Sequence, residues 1–240
     1  MPTYFKCSPE GQYYYPVKID GQVIDLPGKI VGPDGKRVRL AWLRPELAEI
    51  CQPGAAEMTK ILTRLIGSLE EARAAHILLL TPPSSKSGTM MELVAEQLNE
   101  AMQQQNPKSE VNLFNAFVKG DTEAEVRKKL GLTAHDQDFE YVEYQPITSP
   151  VTKILGVRKS KLKKVLEQHE QFFIVDDVYS TGATIDAIKK LMIKVGGQSA
   201  REKIQTVTLA REVDAEKFEQ QSLSESGVHS VIKIPTELVD

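Results

Sequence analysis

Apolar residues recur along this chain in two rhythms, and the change between them divides it. From Ala55 onward, Met58, Ile61, Leu62, Leu65, Ile66 and Leu69 fall three and four apart, the spacing of one helix face. His76 to Thr81 is an apolar run of strand length. Met90, Met91, Val94, Leu98 and Met102 restore the helical spacing. A second strand is expected from Val111 to Val118. A charged, weakly patterned stretch covers Lys119 to Lys153, with a short helix over Thr122 to Leu130 and a strand over Phe139 to Tyr144. Ser160 to Gln168 reads as a basic helix and Gln171 to Val175 as a buried strand. Gly182 to Val195 is a helix with Ile185, Ile188, Leu191, Met192 and Val195 on one side. Ile204 to Ala210 and Val228 to Ile234 are the last strands. Strands alternating with helices predict an α/β fold, a mostly parallel twisted sheet with helices on both faces.

Residues 1–50 have another texture. Asp20-Gly21 stands between Val17-Lys18-Ile19 and Gln22-Val23-Ile24, a two-residue hairpin signal. Pro33-Asp34-Gly35 is a further turn before the alternating Lys36 to Leu40. This region is expected to be a small β-rich N-terminal appendage ending near Pro45 to Pro53. The α/β domain is expected over 55–240.

Charge narrows the partners. Lys and Arg total 30 against 33 Asp and Glu, a formal charge of −3, which argues against a broad nucleic-acid surface. Cys7 and Cys51 form no CxxC pair and have no His at metal spacing, so they are expected to be two reduced thiols rather than zinc ligands. No apolar stretch approaches the roughly 20 residues of a spanning helix. The first residues carry no signal-peptide core. A soluble, cytoplasmic protein with no membrane or nucleic-acid partner is expected.

Ligands on parallel sheets sit at the carboxyl ends of the strands. Two strand-to-helix loops fall there, Pro82 to Gly88 and Asp176 to Thr184. In the second, the apolar strand Phe172-Phe173-Ile174-Val175 leads into Asp176-Asp177. The run Val178-Tyr179-Ser180-Thr181-Gly182-Ala183-Thr184 then opens a helix. A helix N-terminus offers unpaired N–H groups and a positive dipole end to a phosphate. Ser180, Thr181 and Thr184 add hydroxyl donors, and Gly182 lets the backbone approach the anion. Two carboxylates beside a phosphate cradle would repel it unless they meet something else. Ribose hydroxyls and hydrated Mg²⁺ are the natural partners. A helix-capping loop with Ser180 or Thr181 as cap would explain the hydroxyls but not the adjacent acids.

This run resembles the signature of type I phosphoribosyltransferases for phosphoribosyl pyrophosphate (PRPP): apolar strand, acidic pair, two variable residues, Ser/Thr-Thr-Gly-x-Thr. The resemblance implies that Asp176 and Asp177 hold the ribose 2′ and 3′ hydroxyls and Mg²⁺, through water. It implies that Ser180 to Thr184 hold the 5′-phosphate. Family members for 6-oxopurines carry an acid where this chain has Ser180, and the local wording is closer to orotate-type and ComF-type members. The family also places a pyrophosphate-gripping loop where Ser85, Lys86, Ser87 and Gly88 stand. A Walker A motif is excluded there, since its first Gly is missing and no Gly precedes Lys86.

A mobile basic loop usually precedes the signature strand in this family. Here Lys153, Arg158, Lys159, Lys161, Lys163 and Lys164 crowd that region. The last three read as a solvated helix face. Arg158 and Lys159 are the catalytic candidates, as cations for the departing pyrophosphate. His76, His135, His169 and His229 make no nucleophilic triad, and His76 is expected to be structural. No GxGxxG follows a strand, so a nicotinamide protein is set aside.

The function implied is an enzyme transferring phosphoribose from PRPP, with Mg²⁺, to a nitrogenous acceptor such as a nucleobase. The alternative is a non-catalytic sensor of PRPP or a nucleotide on the same fold. Residues 1–50 are the candidate substrate-covering hood, and a homodimer is expected from the family habit.

Overall fold

Two strands without a polar face explain the central sheet. In β5 (His76–Leu80), Ile77 to Leu80 are at most 1% exposed. In β10 (Gln171–Tyr179), Phe172 to Val175 are at most 2% exposed. Strands buried on both sides belong inside a parallel sheet covered by helices. The computed structural model, which describes residues 6–7, 13–19, 22–31, 37–39, 48–68, 76–83, 88–146, 150–179, 181–213 and 228–235, has that arrangement. Five parallel strands stand in the order β12 (Val228–Pro235), β11 (Ile204–Val213), β10, β5, β6 (Glu110–Phe114).

Alternate residues of these strands serve opposite layers. Leu78, Leu80, Phe172 and Ile174 pack with Ile185, Ile188, Leu191 and Met192 of α5 (Ala183–Gly196) and with Leu162 of α4 (Lys159–Gln168). The short α6 (Gln198–Glu202) adds Ala200 to this cluster. Ile77, Leu79, Phe173 and Val175 are left for the other layer, made by α1 (Ala48–Ser68) and α2 (Gly88–Gln105). Met58, Leu62, Ile66, Met90, Met91, Val94 and Leu98, the positions chosen by helical spacing, are buried on those two helices.

Beside this core lies a three-stranded antiparallel sheet, β7 (Val118–Gly120), β9 (Lys153–Val157) and β8 (Glu140–Tyr144), with β9 in the middle. It has two apolar faces. Leu155, Val157, Val142 and Tyr144 join the cluster under α5. Ile154, Phe139 and Tyr141 pack with Val126 of α3 (Glu123–Lys129). The close approach needs Gly156, since a Cβ there would lie 2.6 Å from Val126 Cγ1 and 2.8 Å from Phe139 Cε2.

Three expectations need correction. Val111 to Val118 is not one strand. The chain leaves the main sheet after Phe114, turns through the buried Phe117 (ring centroids 5.2 Å apart, edge to face) and enters the small sheet as β7. Lys153 to Val157 is not part of a mobile basic loop. It is a central strand, because Ile154 to Val157 are buried from both sides. Helix α1 starts at Ala48, before the apolar spacing becomes regular, and continues through Pro53.

The N-terminal strands β1 (Lys6–Cys7), β2 (Tyr13–Ile19), β3 (Gln22–Val31) and β4 (Arg37–Arg39) form an antiparallel sheet in that order. Ile19 lies opposite Gln22, the pairing that a two-residue hairpin produces. Asp20-Gly21 and Pro33-Asp34-Gly35 themselves lie outside the described residues. Among the described residues no helix is long and apolar enough to cross a membrane.

Candidate functional site

The strand order creates a crevice. From β5 the chain moves outward to β6, whereas from β10 it moves the other way, to β11 and β12. β5 and β10 are neighbours, with Leu80 opposite Ile174. The space beyond their carboxyl ends is thus the topological switch point of the sheet, where open α/β sheets bind ligands. Each of the two strands is followed by a loop and a helix, α2 after β5 and α5 after β10. Both helix N-termini, with their orphan N–H groups, therefore start at this end of the sheet. The two strands that lead into the loops singled out in the sequence, more than 90 residues apart in the chain, are thus adjacent.

On the β10 side the strand runs through Tyr179, so the acidic pair lies on the strand rather than at the start of a loop. Asp176 is half-buried, with its Cα opposite Thr208. The side chains of Asp177 and Val178, and all of Ser180, lie outside the described residues. Gly182 caps α5 with φ of 73° and brings no side chain to the helix end. A Cβ at Gly182 would lie 2.5 Å from Tyr179 Oη and 2.7 Å from Tyr179 Cζ. The left-handed backbone demands glycine, and the Tyr179 ring would have to shift for any side chain placed there. The Gly182 carbonyl accepts the first helical bond, from Asp186 N at 2.7 Å. Exposed Thr181 accepts a long bond from Ala183 N through its Oγ1, at 3.4 Å.

Thr184, one residue into α5, has a neighbour that the sequence does not advertise. The Tyr144 hydroxyl, at the end of β8, lies near the Thr184 side chain. Burial pushes the Tyr144 phenol up from its ordinary pKa, and the nearby Thr184 hydroxyl opposes that shift. Across the hairpin Tyr144 faces Lys153, whose ammonium pairs with Asp121. That pairing raises the Lys153 pKa. Nothing in the spacing of Tyr144 and Thr184 links them, because their proximity depends on β8 packing across α5.

On the β5 side, Thr81 is buried and its N–H donates to the Phe114 carbonyl at 3.1 Å, fixing where the loop departs. Ser85, Lys86 and Ser87 lie outside the described residues, and Gly88 opens α2.

Arg158 and Lys159 stand at the start of α4, at the carboxyl end of the sheet, but they differ in engagement. Arg158 donates to the Leu130 carbonyl from Nε (3.1 Å) and Nη2 (2.8 Å), and to the Gly131 carbonyl from Nη2 (3.1 Å). Its guanidinium also lies 3.9 Å from Asp138 Oδ2. Asp138 in turn caps α4 by accepting from Ser160 N at 2.6 Å and Ser160 Oγ at 2.7 Å. This network ties the end of α3 to the start of α4. Lys159 is exposed.

Away from this crevice, a cleft of about 450 Å³ lies between α4 and β6. In it the buried His169 is held between the Val165 carbonyl (2.7 Å) and the Asn112 amide (3.0 Å). No group of three or more His, Cys, Asp or Glu residues able to hold a metal occurs among the described residues.

No family model matches the chain, and no curated protein matches it. Among solved structures it is similar to adenine phosphoribosyltransferase from Giardia lamblia complexed with 9-deazaadenine. That pair has 14% identity, a TM-score of 0.48, and 93% of each chain covered. It is also similar to adenine phosphoribosyltransferase from Trypanosoma brucei in complex with AMP, pyrophosphate and ribose-5-phosphate. There the identity is 12% and the TM-score 0.43, with 81% of this chain and 68% of that one covered. A third is the Leishmania tarentolae HGPRT-ase in complex with GMP, at 10% identity and TM-score 0.38, covering 78% of this chain and 79% of that one.

Proposed function

We propose that the chain binds PRPP at the β5–β10 switch point and transfers its phosphoribosyl group to a nitrogenous acceptor, a nucleobase, releasing pyrophosphate. The supporting observation is the adjacency of β5 and β10. The acidic strand end belongs to β10, which the glycine-capped α5 follows, and the segment that carries Ser85 to Gly88 follows β5 in the chain. One side then offers carboxylates to ribose hydroxyls and a helix end to the 5′-phosphate. The other offers backbone donors and Lys86 to pyrophosphate. In the transfer the bond from C1′ to the pyrophosphate oxygen breaks and a bond from C1′ to the acceptor nitrogen forms. Such a step asks mainly for positioning and for charge stabilisation of the leaving group.

Within this reading, Asp176 and Asp177 hold Mg²⁺ through water. A site with one or two carboxylates fits a cation that keeps several waters and completes its shell with phosphate oxygens. When bound, the ion neutralises charge on the pyrophosphate. Of the two basic candidates, Lys159 has its side chain in solvent, whereas Arg158 is committed to carbonyls of the 130–131 turn.

Isothermal titration with PRPP and Mg²⁺ tests the reading, beside an Asp176→Asn/Asp177→Asn variant. Micromolar binding that the variant loses is the expected result, followed by pyrophosphate release with one member of a nucleobase panel. Binding without release from any base would leave a PRPP sensor. No heat at millimolar PRPP from a folded protein would sink the proposal.

A further inference from the structure

We propose that the cleft between α4 and β6 is a second binding site, for a hydroxyl-bearing phosphate monoester of sugar-phosphate size. β6 is an edge strand of the main sheet, so this cleft stands apart from the β5–β10 crevice, and the inference does not depend on how that crevice is read. At about 450 Å³ the space falls within the ordinary range of small-ligand pockets.

Charge and hydrogen bonding together define the ligand. Lys161 and Lys164 line the cleft three residues apart, on one face of α4. Among the described residues neither has an ion-pair partner, whereas Lys163, which does not line the cleft, pairs with Glu167 at 3.7 Å. Like charges one turn apart repel mildly, and an anion between them removes that repulsion. A carboxylate would neutralise one lysine. A phosphate monoester, with a charge of about −1.5 to −2 at neutral pH, matches both. The acid on the cleft wall, Glu110, is already engaged. Its Oε1 accepts from Asn112 Nδ2 at 3.0 Å, and its Oε2 lies 3.6 Å from His76 Nδ1. A carboxylate only accepts, so the amide nitrogen of Asn112 faces it. The same nitrogen lies 3.0 Å from Nε2 of the buried His169, which therefore accepts, leaving His169 Nδ1–H to donate to the Val165 carbonyl at 2.7 Å. Both amide hydrogens of Asn112 are thereby used. Its carbonyl oxygen is the atom left for a ligand, and that oxygen takes a hydroxyl. Phe114 and Val165 add apolar wall for a carbon skeleton.

The probe is glucose 6-phosphate, titrated into the full chain while NMR follows the Asn112 side-chain amide and the His169 ring, with and without PRPP and Mg²⁺. Saturable shifts at both groups are expected, with none from glucose alone. Lys161→Gln and Lys164→Gln should each weaken binding roughly three- to tenfold, the loss of one hydrogen bond. Lys163→Gln should leave it unchanged. All three side chains are exposed, so the ligand-free melting temperature should stay near that of wild type. Silence at Asn112 and His169 with millimolar glucose 6-phosphate would overturn the inference. So would equal weakening by Lys163→Gln, which would mean diffuse attraction to a basic helix. Shifts confined to the start of α5 and abolished by PRPP would place the compound in the crevice and overturn it too, while failure of PRPP itself to bind bears only on the crevice.

Discussion

Gly182 shows how much one position can demand. Its φ of 73° is open to glycine at little cost, and a Cβ there would push the Tyr179 ring aside. Gly182→Ala should destabilise the protein by about 1–2 kcal/mol from the backbone alone. It should also displace Tyr179 and weaken ribose 5-phosphate binding; denaturant melts and titration would read the two effects. Arg158, expected from its charge to serve the reaction, donates in this structure to the Leu130 and Gly131 carbonyls. Arg158→Ala leaves the Leu130 and Gly131 carbonyls without their guanidinium partner and should cost about 1–3 kcal/mol. PRPP affinity should stay as in wild type. A collapse of turnover at unchanged stability would instead put Arg158 at the reaction. Gly182 was legible because a Gly between hydroxyl residues before an apolar helix has few other uses. The partners of Arg158 were not, since a basic side chain in sequence does not declare which carbonyls it will meet.

Elements with a strong period were legible, and those whose apolar residues divide between two faces were not. Helix α5 and strand β10 each point one clear pattern at one or two apolar layers. Strand β9 puts Leu155 and Val157 on one core and Ile154 and Gly156 on another, so its sequence shows no polar side to set it apart from its basic neighbours. Gly156→Ala forces a Cβ into Val126 and Phe139, and overpacking of this kind should cost about 1–3 kcal/mol, read as a lower denaturation midpoint. The short α3 is held by polar devices instead. Thr122 accepts from Glu125 N at 3.2 Å, and Glu125 accepts from Asp121 N at 2.8 Å. Lys129, first, and the Asp121 N–H hold the Glu125 carboxyl below its usual range; the Thr133 N–H and hydroxyl do the same for Asp136. A lowered pKa in the folded state means that the charged form supports the fold at neutral pH. That support is lost as pH falls through the lowered values. Carboxyl NMR titration should find both midpoints below those of an unstructured peptide, and the 121–136 segment should loosen once both are protonated.

For the molecule as a whole, the site is a property of strand order. If PRPP binds where β5 and β10 meet, it favours the folded state by about 2.7 kcal/mol at a hundred times its dissociation constant. The melting temperature should then rise with PRPP in wild type and stay flat in Asp176→Asn/Asp177→Asn. The sequence by itself determined the α/β alternation, the doubly buried strands and the helix that begins after Gly182. Those features are written in local period and local composition, which depend on a few neighbouring residues. Only the tertiary structure decided that β5 and β10 lie side by side, that β9 stands between two cores, that Arg158 is spent on a turn and that Tyr144 lies near Thr184. Each of these joins residues far apart in the chain. Their contact is set by how whole layers pack, where burial of many side chains outweighs the preference of any one.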